Sequence, residues 1–162
     1  MLYVDSSALV KCYLRERGTD AVIERLRSRD RVFSSILTFA EVHRALAQRF
    51  LHVRSRGVKP EQARRAFEAA RDAFQFDWMF SLNVLEMTTQ TLSDLPDLVA
   101  RFGILRAADG IQLASALWLR DKGRFSSSSA DGGQDVEFIA ADKNLGRVAR
   151  ACGLTVFDPE SS

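Results

Sequence analysis

Two histidines, two cysteines and three prolines are all that this 162-residue sequence offers for zinc sites, disulfide frameworks and rigid turns. Cys12 and Cys152 stand far apart, with no CxxC partner and no histidine pair beside either, which excludes a zinc site of familiar spacing. In their apolar, helix-forming surroundings they read as small buried hydrophobes in a reducing compartment. His43 and His52 project from opposite faces of any helix that carries both, so they form no two-histidine site and read as surface residues. No histidine–acid pair accompanies the serines, which removes the covalent nucleophile class. No apolar run approaches the length of a membrane span. Asp5 comes too early to leave room for a signal-peptide core, so the expected location is cytoplasmic. A net charge of only +2 carries no whole-chain nucleic-acid signature. The arginine clusters at 15–17, 25–31 and 54–71 read as solvated helix faces.

What is present is an ordinary apolar content, 46% hydrophobic, enough for one core and one domain over 1–162. Leu2-Tyr3-Val4 ends on Asp5 and runs into Ser6-Ser7. Too short for a helix, it predicts a buried strand, a tight turn, and a helix over 7–15 capped by Asp5 or Ser6. Gly18 breaks the pattern, and Thr19 or Asp20 caps a helix to about 29, followed by a strand over 32–34. A long helix opens at Thr38, with Phe39, Val42, Leu46, Phe50 and Val53 along one face. Gly57 ends it, and Pro60 starts a second helix to about 76, making an αα-hairpin. A strand over 82–87 precedes two short helical segments, capped by Thr88 or Thr89 and divided at Pro96. The helix over 106–120 is apolar nearly all round and therefore buried. Residues 123–135 are rich in Ser and Gly without periodicity and predict a flexible surface loop. A strand over 136–140, a helix over 142–151 and a strand over 154–157 complete the chain. This alternation predicts an α/β fold, a three-layer α/β/α sandwich on a mostly parallel sheet.

Four acids fall where a strand gives way to a helix or in a helix's first turn: Asp5, Glu41, Asp109 and Asp142. Each has a structural reading. Asp5 and Asp142 can cap helices, Glu41 can close a capping box on Thr38, and Asp109 can complement a helix dipole. The joint reading differs. On a parallel sheet all four reach the carboxyl-end rim, where ligands bind in such folds. Asp109 sits in so apolar a helix that its charge calls for a partner. Converging carboxylates repel unless a cation neutralises them. Oxygen ligands alone point to Mg²⁺ or Mn²⁺, and to metal-assisted phosphodiester hydrolysis with water as nucleophile.

These residues carry a resemblance. Asp5-Ser6-Ser7-Ala8-Leu9-Val10-Lys11, Thr38-Phe39-Ala40-Glu41-Val42, Leu105-Arg106-Ala107-Ala108-Asp109-Gly110-Ile111-Gln112-Leu113-Ala114 and Phe138-Ile139-Ala140-Ala141-Asp142-Lys143-Asn144-Leu145 resemble PIN-domain motifs. In order and spacing they are similar to those of the VapC-type ribonuclease toxins of bacterial type II toxin–antitoxin pairs, across essentially the whole chain. The resemblance implies a Mg²⁺- or Mn²⁺-dependent endoribonuclease with Asp5, Glu41, Asp109 and Asp142 as its catalytic and metal-holding quartet. It also implies a PIN-like sheet order of 3-2-1-4-5, a homodimer, and a small antitoxin whose tail occupies the site. The chain departs from the family in two places. Ala140 stands where Thr or Ser is common, and Gln112 where His is common. At its spacing Gln112 shares a helix face with Asp109 and can support a ligand.

Around the rim, Ser6 and Ser7 can hydrogen-bond Asp5 or metal-held waters, with plain capping as the alternative. Lys11, Arg106, Lys143 and Arg147 can meet RNA phosphates, with solvated charge as the alternative. Phe74, Phe76, Trp78 and Phe80 form an aromatic patch suited to core packing or to a dimer or antitoxin contact. Rival readings are a housekeeping PIN nuclease and a catalytically inactive PIN-like binding module. A phosphoaspartyl phosphatase would need an acid where Ser7 stands, and a receiver domain would need paired acids that are absent.

Overall fold

The computed structural model describes residues 1–103, 105–126 and 135–161, the side chains of 123–126 excepted. Five short strands, β1 (Leu2–Val4), β2 (Val32–Ser35), β3 (Asn83–Leu85), β4 (Glu137–Ile139) and β5 (Thr155–Phe157), form one sheet in the order β3-β2-β1-β4-β5. Every pairing is parallel, with Leu2 opposite Val32, Tyr3 opposite Phe138, Ser34 opposite Val84 and Phe138 opposite Val156. The central strand β1 is fully buried, as its unbroken apolar character predicts.

Strand periodicity divides the core. Leu2 and Val4 face one layer with Leu9, Val22, Val42, Leu46 and Phe74. Tyr3 faces the other with Leu113, Leu117, Phe138, Leu145 and Val148. The first layer holds α1 (Ser6–Leu9), α2 (Thr19–Arg27), α3 (Leu37–Ser55) and α4 (Pro60–Phe80); the second holds α5 (Leu95–Arg101), α6 (Ala107–Ser126) and α7 (Lys143–Ala151). The predicted three-layer α/β/α sandwich and its 3-2-1-4-5 order are therefore present. Alternating Cβ directions of one strand feed two cores at once.

Several boundaries differ from expectation. The helix predicted over 7–15 is only α1, tightened into a 3₁₀ turn at Val10–Cys12. Chain reversal follows at Gly18, whose φ of 85° places it in the left-handed region and whose α-hydrogen faces Pro159. A Cβ there would lie 2.7 Å from the Pro159 carbonyl oxygen, so glycine is required twice over. The two segments expected around Pro96 are one helix, α5, with Pro96 in its first turn, where its missing N–H costs nothing. Thr88 instead forms a hydroxyl-bonded turn with Thr91. Helix α6 continues to Ser126, into the stretch expected to be loop, and the rest of that expectation, 127–134, lies outside the described residues. No described helix is long and apolar enough to cross a membrane.

Candidate metal-binding site

Asp5 and Asp142 follow β1 and β4, Glu41 lies in the second turn of α3, the helix after β2, and Asp109 in the first turn of α6. Asp5 follows β1 in an extended conformation, and its amide donates to the Ile139 carbonyl (2.9 Å). Its carboxylate caps α1. Oδ2 accepts from the Ser7 amide (3.1 Å) and the Ser7 hydroxyl (2.5 Å). Asp5 is 3% exposed. That burial pushes its carboxyl up to about 6, Ser7 opposes the rise, and the charge of nearby Glu41 adds to it.

Asp142 caps α7, with Oδ1 accepting from the Asn144 (2.8 Å) and Leu145 (3.0 Å) amides, and is solvent-exposed. At both aspartates the cap that the sequence predicts is present, and it fixes the direction of the carboxylate. Asp109 is half-buried. Burial raises its carboxyl, and so does the charge of Asp142; the Arg106 amide and guanidinium pull it down, and Glu41 raises it further. Gly110 beside it allows α5 to approach, since a Cβ would stand 2.9 Å from Leu95 Cδ1.

Glu41 corrects one expectation. No capping box forms, because α3 begins at Leu37 and Thr38 lies inside it, fully buried. The carboxylate instead accepts from Gln112 Nε2 across the layer at 2.7 Å. Gln112 thus supports Glu41, on the neighbouring helix, not Asp109 on its own.

Ser7 also reaches the fourth acid. Its hydroxyl oxygen accepts from the Ala141 (3.0 Å) and Asp142 (3.3 Å) amides, so one side chain ties the first junction to the last. Ser6 contributes its amide to Asp5, and its side chain makes no hydrogen bond among the described residues.

Lys11 is a correction. It is 3% exposed and donates to Glu16 Oε1 (2.9 Å), Glu160 Oε1 (2.7 Å) and the Arg17 carbonyl (3.1 Å), so it cannot reach phosphate. A buried ammonium must be paired, and its partners come from the chain reversal and the C-terminal tail. Arg106, Lys143 and Arg147 are exposed. His43 is half-buried between the Phe39 and Phe74 rings (4.5 and 5.3 Å), not a surface residue as expected, while His52 is exposed. Both cysteines are only half-buried, and burial pushes the Cys12 thiol up to about 12.

The donor set fits a hard cation. All four groups are carboxylates, and none forms an ion pair among the described residues. Asp5 and Asp109 are both pushed toward protonation, in part by other acids of the set. No three described His, Cys, Asp or Glu side chains stand close enough to cage an ion by themselves. Sequence reasoning missed the buried polar groups beneath the acids: Tyr3, Ser34 and Thr38. Their signal was a tyrosine and serines within otherwise apolar strands.

Against known proteins, the PIN domain family model matches residues 2–151. This chain belongs to the PIN-domain family. A relative, Ribonuclease VapC46 of Mycobacterium tuberculosis (strain ATCC 25618 / H37Rv), is 36% identical over 115 residues, covering 71% of this chain and 73% of its own. The PIN fold here resembles that of FitAcB from Neisseria gonorrhoeae (TM-score 0.58, 16% identity) and of VapBC2 from Rickettsia felis bound to a promoter DNA fragment (TM-score 0.58, 13%). A toxin–antitoxin complex from Klebsiella pneumoniae is also similar (TM-score 0.55, 16%). In each of the three, 98% of both chains is covered.

Proposed function

We propose that this PIN domain is a divalent-metal-dependent endoribonuclease acting as the toxin of a type II toxin–antitoxin pair. The observation that carries it is the set of four carboxylates that form no ion pair among the described residues, in a chain 36% identical over 115 residues to a protein named a ribonuclease. Asp5, Glu41, Asp109 and Asp142 would hold Mg²⁺ or Mn²⁺. A bound ion of this kind polarises a phosphoryl oxygen and lowers the pKa of water toward neutrality. The chain's own residues do the rest. Ser7 and the α7 amides hold Asp5 and Asp142 at the rim, and Gln112 holds Glu41. Exposed Arg106, Lys143 and Arg147 border the acids and would attract the RNA backbone, countering the carboxylates' repulsion of phosphate.

Two partners belong to the same reading: a small antitoxin, which the toxin–antitoxin complex among the structural relatives supports, and a second copy of the chain. Exposed Phe76, Met79 and Phe80 along one face of α4 support a covered surface there. The experiment is cleavage of structured RNA with Mn²⁺ or Mg²⁺ by wild type beside Asp109→Asn. Metal-dependent cleavage that Asp109→Asn abolishes is expected; cleavage that survives it overturns the assignment. Expression of the chain alone should arrest host growth, and normal growth with active protein in hand would leave a housekeeping nuclease.

A further inference from the structure

Beneath the acids a run of buried polar side chains passes from the second layer to the first. Tyr3, Gln112, Thr38 and Ser34 are each at most 1% exposed, where an unsatisfied polar group costs about 1–3 kcal/mol. The Tyr3 phenol donates to Gln112 Oε1 at 2.7 Å. A carboxylate only accepts, so the amide turns its Nε2 toward Glu41 and its Oε1 toward the phenol. Gln112 Nε2 therefore presents its two protons to Glu41 Oε2 (2.7 Å) and Thr38 Oγ1 (2.9 Å). The Ser34 hydroxyl, 2.8 Å from both the Val4 carbonyl oxygen and Thr38 Oγ1, closes the run. A methionine would fill the space of Gln112 without requiring any of these partners. What the amide adds is a hold on Glu41.

We propose that Gln112, oriented by Tyr3, is a positioning residue that engages Oε2 of Glu41 and leaves Oε1 as its free donor, which biases the site toward Mg²⁺ and Mn²⁺ over Ca²⁺. The inference rests on Glu41 being a metal-holding residue. Glu41 Oε1 has no hydrogen-bond partner among the described residues, whereas Oε2 is engaged. The donor is neutral, so it fixes the carboxylate without cancelling the charge a cation needs; a Lys or Arg at that place would do both. Calcium takes six to eight oxygens, often with both oxygens of one carboxylate, while Mg²⁺ demands compact octahedral geometry. Tethering one oxygen works against the first arrangement and not the second.

The test is Mn²⁺ binding to the full chain, followed by the electron paramagnetic resonance of free Mn²⁺, with Mg²⁺ and Ca²⁺ as competitors and thermal melts to verify folding. Gln112→Met should weaken Mn²⁺ and Mg²⁺ binding about tenfold or more, the scale on which ligand-orienting partners act, and Ca²⁺ binding less. Tyr3→Phe with Gln112→Met removes the phenol as well, whose other partners are Ser115 and the Ser35 backbone, and it should bind the ions as Gln112→Met does. Unchanged Mn²⁺ binding in the folded double variant overturns the proposal, as does an equal loss for all three ions. Glu41→Gln separates the layers of the argument. If it binds Mn²⁺ as well as wild type does, the metal-site reading itself fails.

Discussion

The Ser7 hydroxyl stands 2.5 Å from Asp5 Oδ2 and accepts from the Ala141 amide at 3.0 Å, joining the first acid-bearing junction to the last. Ser7→Ala removes a donor from Asp5 and an acceptor from the loop before Asp142. A loss of about 1–3 kcal/mol in folding stability is expected for the unsatisfied groups, measured by urea denaturation. Metal-dependent RNA cleavage should fall more steeply than the folded fraction, because both acids lose their register.

Asp5 gives a pH signature. Its carboxyl is raised from an ordinary 3.8 to about 6, chiefly by burial. Between those values the folded chain keeps a proton that the unfolded chain has released. The stability contributed by this group therefore falls as pH rises from about 4 to about 6, by about 3 kcal/mol in total. In EDTA, Asp5→Asn should be more stable than wild type at pH 7, and the gap should close toward pH 4. Urea denaturation at the two pH values reads it. Adding Mg²⁺ should stabilise wild type and leave Asp5→Asn nearly unmoved.

Lys11 should matter to folding and not to RNA. Its ammonium joins Glu16 and Glu160, both partly exposed, so Lys11→Met leaves carboxylates that water can reach. A loss of about 1–3 kcal/mol is expected. Cleavage per folded molecule and the salt dependence of RNA binding should not change. Lys143→Ala and Arg147→Ala should show the reverse: unchanged melting and a shallower salt dependence, by about one ion per lost phosphate contact.

Gly18→Ala meets two obstacles, a φ of 85° and a Cβ 2.7 Å from the Pro159 carbonyl. The left-handed conformation alone costs about 1–2 kcal/mol for a residue with a side chain. A melting temperature lowered by several degrees is expected, with RNA cleavage intact at low temperature.

The strand–helix alternation was readable because each signal is local. Leu2–Val4 is apolar and short, Gly18 and Pro60 punctuate, and Asp5 and Asp142 cap the helices that follow them. Where the reading failed, a distant contact had overridden a local preference. Thr38 and Glu41 have capping-box spacing, yet α3 starts one residue before Thr38, because Ser34 and Gln112 offer Thr38 better partners inside. Lys11 looked like a rim cation until the tail brought Glu160 to it from 149 positions away.

The sequence by itself determined the element order, a mostly parallel sheet and the identity of four acids at strand–helix junctions or in a helix's first turn, since periodicity and caps depend on near neighbours. Only the tertiary structure decided what holds each acid. Asp5 is buried and raised, Asp142 is exposed, and Glu41 is tethered through Gln112 to Tyr3 on the central strand. The reason is physical. A carboxylate's ionisation and direction depend on burial and on partners across layers, and Tyr3 and Gln112, 109 positions apart in the chain, meet only when the sheet has formed.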